Sequence, residues 1–320
     1  ASALGKICFT TLDEQEPVMS TMFSVSSQSP IRLWLRHWAH LYRYSSPRKL
    51  SNAMRALWHY RKGHTYIDTM PLFLKVELSR YCTVHCPNCP CTWEECFYPI
   101  SSFKSLIDTF SRYVFMVQLY EIGEPLLYPD LLECIRYVHG KGVGTVISTT
   151  LSVEKPDAYW GSLVGSGLDR LIVAIDGLTE PVYKRSRTHG NLEFAMSNLN
   201  SILMARKHMS SRLCIEWQMI DFPWNRCEQT AAERQSQMLG VDIFRIIPDA
   251  SIRSQYGESE TVRNTNCIWP YMLLLVNAYG DVVPCFKPGC NPGTIGNLHK
   301  STFQEVWNGE DIQKIRNARL

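Results

Sequence analysis

The sequence predicts an α/β protein built around a parallel sheet. From residue 72 onward, six short apolar runs alternate with helical patterns. This alternation is typical of parallel strands whose connecting helices cover the sheet. The runs are apolar on both faces, as in the Leu-Ile-Val-Ala-Ile run at 171–175, and this is expected of strands buried on both sides. Periodicity alone leaves open whether the sheet is flat or curled into a partial barrel.

The individual elements are predicted from local hydrophobic patterns and from Pro and Gly residues that mark where helices and strands begin or end. Pro156 fits a first helical turn, and Gly140 and Gly240 fit helix ends. Two runs around Gly280 predict a hairpin over 271–277 and 281–284, followed by a helix at 301–317. Strands are predicted at 72–78, 114–120, 143–149, 170–175, 213–220 and 242–247, and helices at 31–43, 48–61, 102–112, 130–139, 156–164, 191–209 and 227–238.

Charge is distributed unevenly along the chain. No acidic residue lies between Glu16 and Asp68, and eight Arg and Lys residues lie in that stretch. Such a segment is compatible with an organelle transit peptide, with a membrane-surface contact or with two helices packed on the main fold. We favour packed helices. The chain lacks an apolar secretory signal and any membrane-length apolar run, so we expect a cytoplasmic protein that binds no nucleic acid.

Three cysteines follow the first predicted strand at short spacing. Cys82, Cys86 and Cys89 form a C-x3-C-x2-C loop, and the chain holds twelve cysteines in all. Clustered thiols in an intracellular chain are typical of metal or redox sites rather than disulfides. Three thiolates can occupy three corners of a cubane cluster and leave the fourth iron open. A structural zinc site, with Cys91, Cys96 or His85 as a further ligand, is the alternative.

This loop resembles the signature of the radical S-adenosylmethionine (radical SAM) superfamily, and the resemblance runs from about residue 71 to the C-terminus. It implies a partial (β/α)6 TIM-like barrel with N-terminal helices and a small C-terminal β-hairpin/helix iron–sulfur module. The implied division is 1–70 for the N-terminal arm and basic helices, 71–248 for the barrel and 249–320 for the module. It also implies a [4Fe-4S] cluster on Cys82, Cys86 and Cys89 that binds S-adenosylmethionine.

Further residues match the family in chain order, each at the end of a predicted strand. The stretch after strand two is similar to the family's Gly-Gly-Glu-Pro, which holds the methionyl amine, although Ile122 replaces the first Gly. The resemblance places hydroxyl groups near the ribose at the end of strand three. It also places Arg185 or Arg187 opposite the cofactor carboxylate. The implied cofactor-binding residues are Gly123, Glu124, Pro125, Ser148, Thr150, Asp176 and Arg187.

A second set of thiols lies near the C-terminus. Cys267, Cys285 and Cys290 surround the predicted hairpin and resemble the auxiliary-cluster modules called SPASM or twitch. Those modules usually take further ligands from a later Cys-x-x-Cys. Three alternatives stay open here: the C-terminal part of the module is missing, Cys290 supplies a third ligand to an incomplete site, or the cluster is lost.

The resemblance predicts reductive cleavage of S-adenosylmethionine and hydrogen abstraction from a sugar, aminoglycoside-like or peptide substrate. The outcome would be dehydrogenation, epimerisation or a related change, with flavodoxin or ferredoxin as electron donor. A ribosomal-peptide maturase of the same superfamily is one alternative. A non-enzymatic zinc-binding scaffold is the other.

Overall fold

A nine-stranded sheet forms the centre of the computed structural model, which describes residues 42–87, 89, 91–92, 94–249, 267–284 and 293–317. Its order is β6-β5-β4-β3-β2-β1-β7-β8-β9, and it does not close. The strands are β1 (Phe73–Val76), β2 (Met116–Gln118), β3 (Gly144–Thr149), β4 (Arg170–Ala174), β5 (Cys214–Asp221), β6 (Ile243–Pro248), β7 (Leu273–Val276), β8 (Asp281–Val283) and β9 (Gly296–Asn297).

Strands β1 to β6 run parallel, each beside the next. All six predicted strands are present, and the predicted α/β fold of partial-barrel type is confirmed. Strands β1 and β2 are each shorter than predicted at both ends, because the apolar runs continue past the paired residues into buried loops.

Helices join the strands and cover one face of the sheet. They are α1 (Pro47–Lys62), α2 (Ile100–Phe110), α3 (Leu131–Gly140), α4 (Asp157–Val164), α5 (Glu180–Ser186), α6 (Leu192–His208), α7 (Arg226–Leu239), α8 (Phe303–Trp307) and α9 (Glu310–Asn317). Helix α5 was not predicted from the pattern. The predicted helix at 301–317 is in fact two helices, and the carboxamide of Asn308 at the break bonds the backbone of Ile67. The predicted helix at 31–43 lies almost entirely outside the described residues.

The two faces of the sheet differ in chemistry. Side chains of the main hydrophobic core occupy alternate positions along the strands, as the period of two in a strand requires. The opposite face, called here the lumen, carries apolar side chains such as Ile172 as well as charged ones such as Glu216. The core members on the strands include Leu74, Val76, Val117, Ile147, Leu171, Val173, Ile215, Trp217, Met219 and Phe244.

The C-terminal hairpin extends the same sheet. Strand β7 pairs in parallel with β1, and β8 returns antiparallel beside β7. The predicted hairpin is therefore present, and Gly280 adopts a φ of 82° at its turn. A Cβ on Gly280 would lie 2.2 Å from the His299 ring, so the turn requires glycine for its backbone angle and for space.

Among the described residues, every helix is either too short or too polar to pass through a lipid bilayer.

Candidate active site

The predicted thiol loop leaves β1 at the carboxyl end of the parallel strands, where α/β folds collect their active sites. Backbone hydrogen bonds hold it on three sides. The N–H of Cys82 donates to the carbonyl of Thr92 (3.3 Å), and the N–H of His85 donates to the carbonyl of Thr188 (2.8 Å). The N–H of Glu124 donates to the carbonyl of Tyr81 (3.0 Å). The loop is thereby fastened to the segments that follow β2 and α5.

The three predicted cluster ligands lie close enough to affect one another's ionisation. Burial raises the pKa of the Cys82 thiol, with further increases from Glu124, Cys91 and Cys86. Burial also raises the pKa of Cys89 to about 11, and Cys91 and Cys86 add to that shift. The thiols of Cys82 and Cys89 are therefore protonated at neutral pH, and binding a metal would release their protons.

No group of three or more His, Cys, Asp or Glu side chains within the described ranges stands in metal-binding geometry. The donor set nevertheless suits an iron–sulfur cluster, because three thiols of one short loop interact electrostatically at the mouth of the barrel.

The two additional cysteines of the loop lie in different surroundings. Cys91 interacts with Cys82 and Cys89, and its Sγ lies 3.8 Å from the carbonyl oxygen of Val84. Cys96 instead hydrogen-bonds Tyr279 on the C-terminal hairpin, a contact that raises the pKa of Tyr279. Cys91 is therefore the extra thiol that lies beside the three predicted ligands.

The Gly-Glu-Pro stretch after β2 packs directly on the thiol loop. A Cβ on Gly123 would lie 2.1 Å from the carbonyl oxygen of Ser79, so only glycine allows this approach. The buried Glu124 carboxylate accepts from the N–H of Leu126 (3.1 Å) and from both the N–H and the hydroxyl of Thr150 (2.9 Å each). Glu124 thereby fixes the loop after β2 to the end of β3, and Pro125 opens the 3₁₀ turn Pro125–Leu127 that follows.

A buried ion pair closes the far side of the site. Arg187 Nη2 lies 2.7 Å from Asp176 Oδ2, and Arg187 Nη1 lies 3.0 Å from the Sγ of Cys86. Asp176 also accepts from the N–H of Ile220 (2.7 Å). Arg185 lies outside the site, 5.0 Å above the ring of Trp224. Of the two predicted arginines, Arg187 is the one that reaches the thiol loop.

The other predicted site residues are distributed as follows. Ser148 lies partly exposed on β3, level with Ile172 of β4. Cys267 is half-buried just before the 3₁₀ turn Trp269–Tyr271. Cys285 and Cys290 lie outside the described residues, so their role as metal ligands remains a prediction.

Charged side chains in the lumen were not singled out from the sequence. Glu216 of β5 is fully buried and forms ion pairs with Arg170 of β4 and Arg245 of β6. Lys75 of β1 pairs with Glu121. The sequence does show charged residues inside predicted strands that are otherwise apolar. Charged side chains are rarely buried unless they are paired, so these positions could have been predicted to form ion pairs.

Comparison with known proteins gives two kinds of match. Residues 267–320 match the family model of SPASM, an iron-sulfur cluster-binding domain. The fold is similar to that of Streptococcus suis SuiB solved with S-adenosylmethionine, with a TM-score of 0.56 at 14% identity over 82% of this chain and 70% of SuiB. The chain therefore shares its fold with SuiB, and its residues 267–320 match SPASM.

Other relatives agree with this assignment. The fold is also similar to that of anSMEcpe solved with bound AdoMet, with a TM-score of 0.54 at 11% identity over 77% of this chain and 82% of that one. An AdoMet-dependent heme synthase of Nitratidesulfovibrio vulgaris is 29% identical over 105 residues, which are 32% of this chain and 28% of that protein. A probable GTP 3′,8-cyclase of Methanococcus maripaludis is 38% identical over 73 residues, or 22% of this chain and 24% of that protein. The chain thus spans about a quarter of each curated relative. The predicted resemblance is confirmed.

Proposed function

We propose that this chain is an enzyme that binds a [4Fe-4S] cluster on Cys82, Cys86 and Cys89 and uses it to cleave S-adenosylmethionine. When bound, the cluster and S-adenosylmethionine supply an electron transfer that yields a 5′-deoxyadenosyl radical able to take hydrogen from a substrate. The observation that carries the proposal is the position of the three-thiol loop at the carboxyl ends of the strands of a radical SAM fold.

The residues around the loop have distinct tasks in this proposal. Cys82, Cys86 and Cys89 would hold three irons of the cluster and would leave the fourth iron to bind the cofactor. Gly123 brings the backbone of the loop after β2 against the thiol loop, where its carbonyls can accept from an amine. Glu124 keeps that backbone in place through its bonds to Leu126 and Thr150. Pro125 starts the turn that ends the segment.

The cofactor's polar groups would be met on the side of β3 and β4. Ser148 and Thr150 are the hydroxyl groups that we assign to the ribose. Arg187 is the cation that we assign to the methionyl carboxylate, since a guanidinium can bind a carboxylate through two parallel hydrogen bonds. Asp176 lies 2.7 Å from Arg187 and is the residue that positions it.

The C-terminal segment has a related role. We propose that Cys267, Cys285 and Cys290 contribute to a second cluster, which the SPASM match over 267–320 supports. The proposed substrate class is a sugar-like molecule or a peptide, and a flavodoxin- or ferredoxin-type protein would deliver the electron.

The test is product formation by the purified chain after anaerobic cluster reconstitution. Wild type is expected to form 5′-deoxyadenosine from S-adenosylmethionine and a strong reductant. A variant with Cys82, Cys86 and Cys89 all changed to Ala is expected to form none and to lose about four iron per chain.

The matched control is Cys227→Ala, because this thiol is exposed on α7 and far in sequence from the loop. It is expected to retain both iron and product. Persistent 5′-deoxyadenosine in the triple variant would refute the cluster assignment. Zinc without iron in anaerobically purified protein would instead favour the scaffold.

A further inference from the structure

The lumen of the barrel contains a charged network that the proposed cofactor site does not use. Its centre is Glu216 of β5, which is fully buried. Arg245 Nε lies 3.2 Å from Glu216 Oε1, and Arg170 contacts the other carboxylate oxygen. Arg245 also donates through Nη2 to the side-chain oxygen of Gln218 (3.2 Å). Two guanidinium groups from neighbouring strands therefore share one carboxylate.

A second charged pair lies close to the same tyrosine as this triad. Lys75 of β1 pairs with Glu121, and its Nζ lies 4.9 Å from the centre of the Tyr120 ring. Burial raises the pKa of Tyr120 to about 12, and the charges of Arg170, Glu216 and Arg245 also act on it. Tyr120 therefore joins the two groups. The set is called here the lumen floor; it consists of Lys75, Tyr120, Glu121, Arg170, Glu216 and Arg245.

The lumen floor carries an excess of positive charge. Each of the three cations lies in an ion pair, but two of them share the Glu216 carboxylate, so the set has a net formal charge of +1. The Nε–H group of Arg170 is buried and has no hydrogen-bond acceptor among the described residues, whereas Arg245 Nε lies against Glu216 Oε1. A buried donor without an acceptor is unfavourable, so Arg170 favours a ligand that supplies an acceptor oxygen.

The lumen floor is separate from the proposed cofactor site. Arg170 is the first residue of β4, and Asp176 of the cofactor site lies six residues further along the chain. At a rise of about 3.3 Å per residue, about 20 Å of backbone separates them. The side chain of Arg245 is 23% exposed, so a ligand in the lumen can reach it.

We propose that the lumen binds its substrate through an anionic group, a carboxylate or a phosphate, held by Arg170 and Arg245. Planar guanidinium groups bind such oxyanions through paired hydrogen bonds. This inference rests on the proposed function, because it takes the lumen to be the substrate site of a radical enzyme. Within the substrate classes considered above, it favours acidic sugars and acidic peptides over polycationic aminoglycosides.

The test is anion binding to the reconstituted anaerobic enzyme, measured by isothermal titration at constant ionic strength. Inorganic phosphate and acetate are titrated separately. The anion that binds more tightly indicates whether the substrate's anionic group is a phosphate or a carboxylate. We expect wild type to bind one anion, and Arg245→Gln to bind it at least tenfold more weakly. Arg226→Gln is the matched control, because this arginine is exposed on α7 and pairs with Asp221. Its affinity should equal that of wild type.

A second variant separates ligand binding from structural support. Glu216→Gln removes the carboxylate that competes for both guanidinium groups, so we expect it to tighten anion binding several-fold. A merely structural network would instead lose affinity or fold poorly. If Arg245→Gln does not fold, the anion affinity of Glu216→Gln still tests whether the two arginines bind the anion.

Four results would overturn the proposal. The first three are the absence of anion binding to wild type, equal binding by Arg245→Gln, and unchanged or weaker binding by Glu216→Gln. The fourth is loss of phosphate binding at saturating S-adenosylmethionine, which would assign the arginines to the cofactor. Formation of 5′-deoxyadenosine is measured on the same samples, so failure of the cluster assignment is recognised independently.

Discussion

Gly123→Ala is the substitution that most directly probes the contact between the two site loops. The added Cβ would lie 2.1 Å from the Ser79 carbonyl oxygen and 2.7 Å from the carbonyl carbon of Arg80. Both neighbours are backbone atoms, so neither can turn aside as a flexible side chain would. The loops must separate, and the hydrogen bond from the Glu124 N–H to the Tyr81 carbonyl lengthens or breaks.

The size of the effect follows from three contributions. Overpacking costs about 1–3 kcal/mol, and loss of the hydrogen bond costs about 1 kcal/mol. The smaller conformational freedom of alanine in the unfolded chain offsets about 0.4–1 kcal/mol. The net loss is about 1–3.5 kcal/mol in the free energy of unfolding. With a specific unfolding entropy of about 2.1 cal/mol/K per residue, this lowers Tm by about 2–5 °C.

Anaerobic thermal unfolding measures this shift, and iron content reports whether the cluster is retained. Gly140→Ala is the matched control, because a Cβ there meets no atom within 4 Å at the end of α3. Its stability should be unchanged or slightly higher. Wild-type Tm and full iron content in Gly123→Ala would refute the close approach of the two loops.

Three further predictions concern buried carboxylates and their partners. Glu124→Gln places an amide against donors such as the Thr150 N–H and should cost about 1–3 kcal/mol of unfolding free energy in denaturant titrations. Arg187→Gln leaves Asp176 buried without its cation and should cost about 3–5 kcal/mol; stability equal to wild type would contradict the ion pair. Burial raises the pKa of the Glu77 carboxyl to about 7, whereas in the unfolded chain it is near 4.5. The folded state therefore binds this proton more tightly than the unfolded state. The resulting stabilisation is complete below pH 4.5 and is lost as the pH rises through 7. The stability advantage of wild type over Glu77→Gln should therefore fall by about 2–3 kcal/mol from pH 5 to pH 8, whereas a flat difference would show an ordinary pKa.

Much of the fold follows from the sequence because the strands are buried on both faces. A run such as 171–175 leaves few alternatives to a parallel strand, and observed β4 spans Arg170–Ala174. Helix α5 was missed because it has only seven residues, too few to show a periodic pattern. The split between α8 and α9 was missed because it depends on the tertiary contact of Asn308 with Ile67.

The site was less predictable than the fold. Spacing identified Cys82, Cys86 and Cys89, since three thiols on one loop form a local pattern. The pairing of Arg187 with Asp176 and the choice of Arg187 over Arg185 depend on how two segments meet in space. The lumen floor joins β1, β4, β5 and β6 with the segment that follows β2, so its grouping is not visible in any one stretch of the sequence.

The central claim is that the loop thiols leave one iron free for S-adenosylmethionine. Electron paramagnetic resonance of the reduced, reconstituted enzyme tests it directly, with the Cys82, Cys86 and Cys89 triple Ala variant as reference for any second cluster. The signal present only in wild type is expected to change when S-adenosylmethionine is added. A wild-type signal that stays the same with and without S-adenosylmethionine would contradict the account.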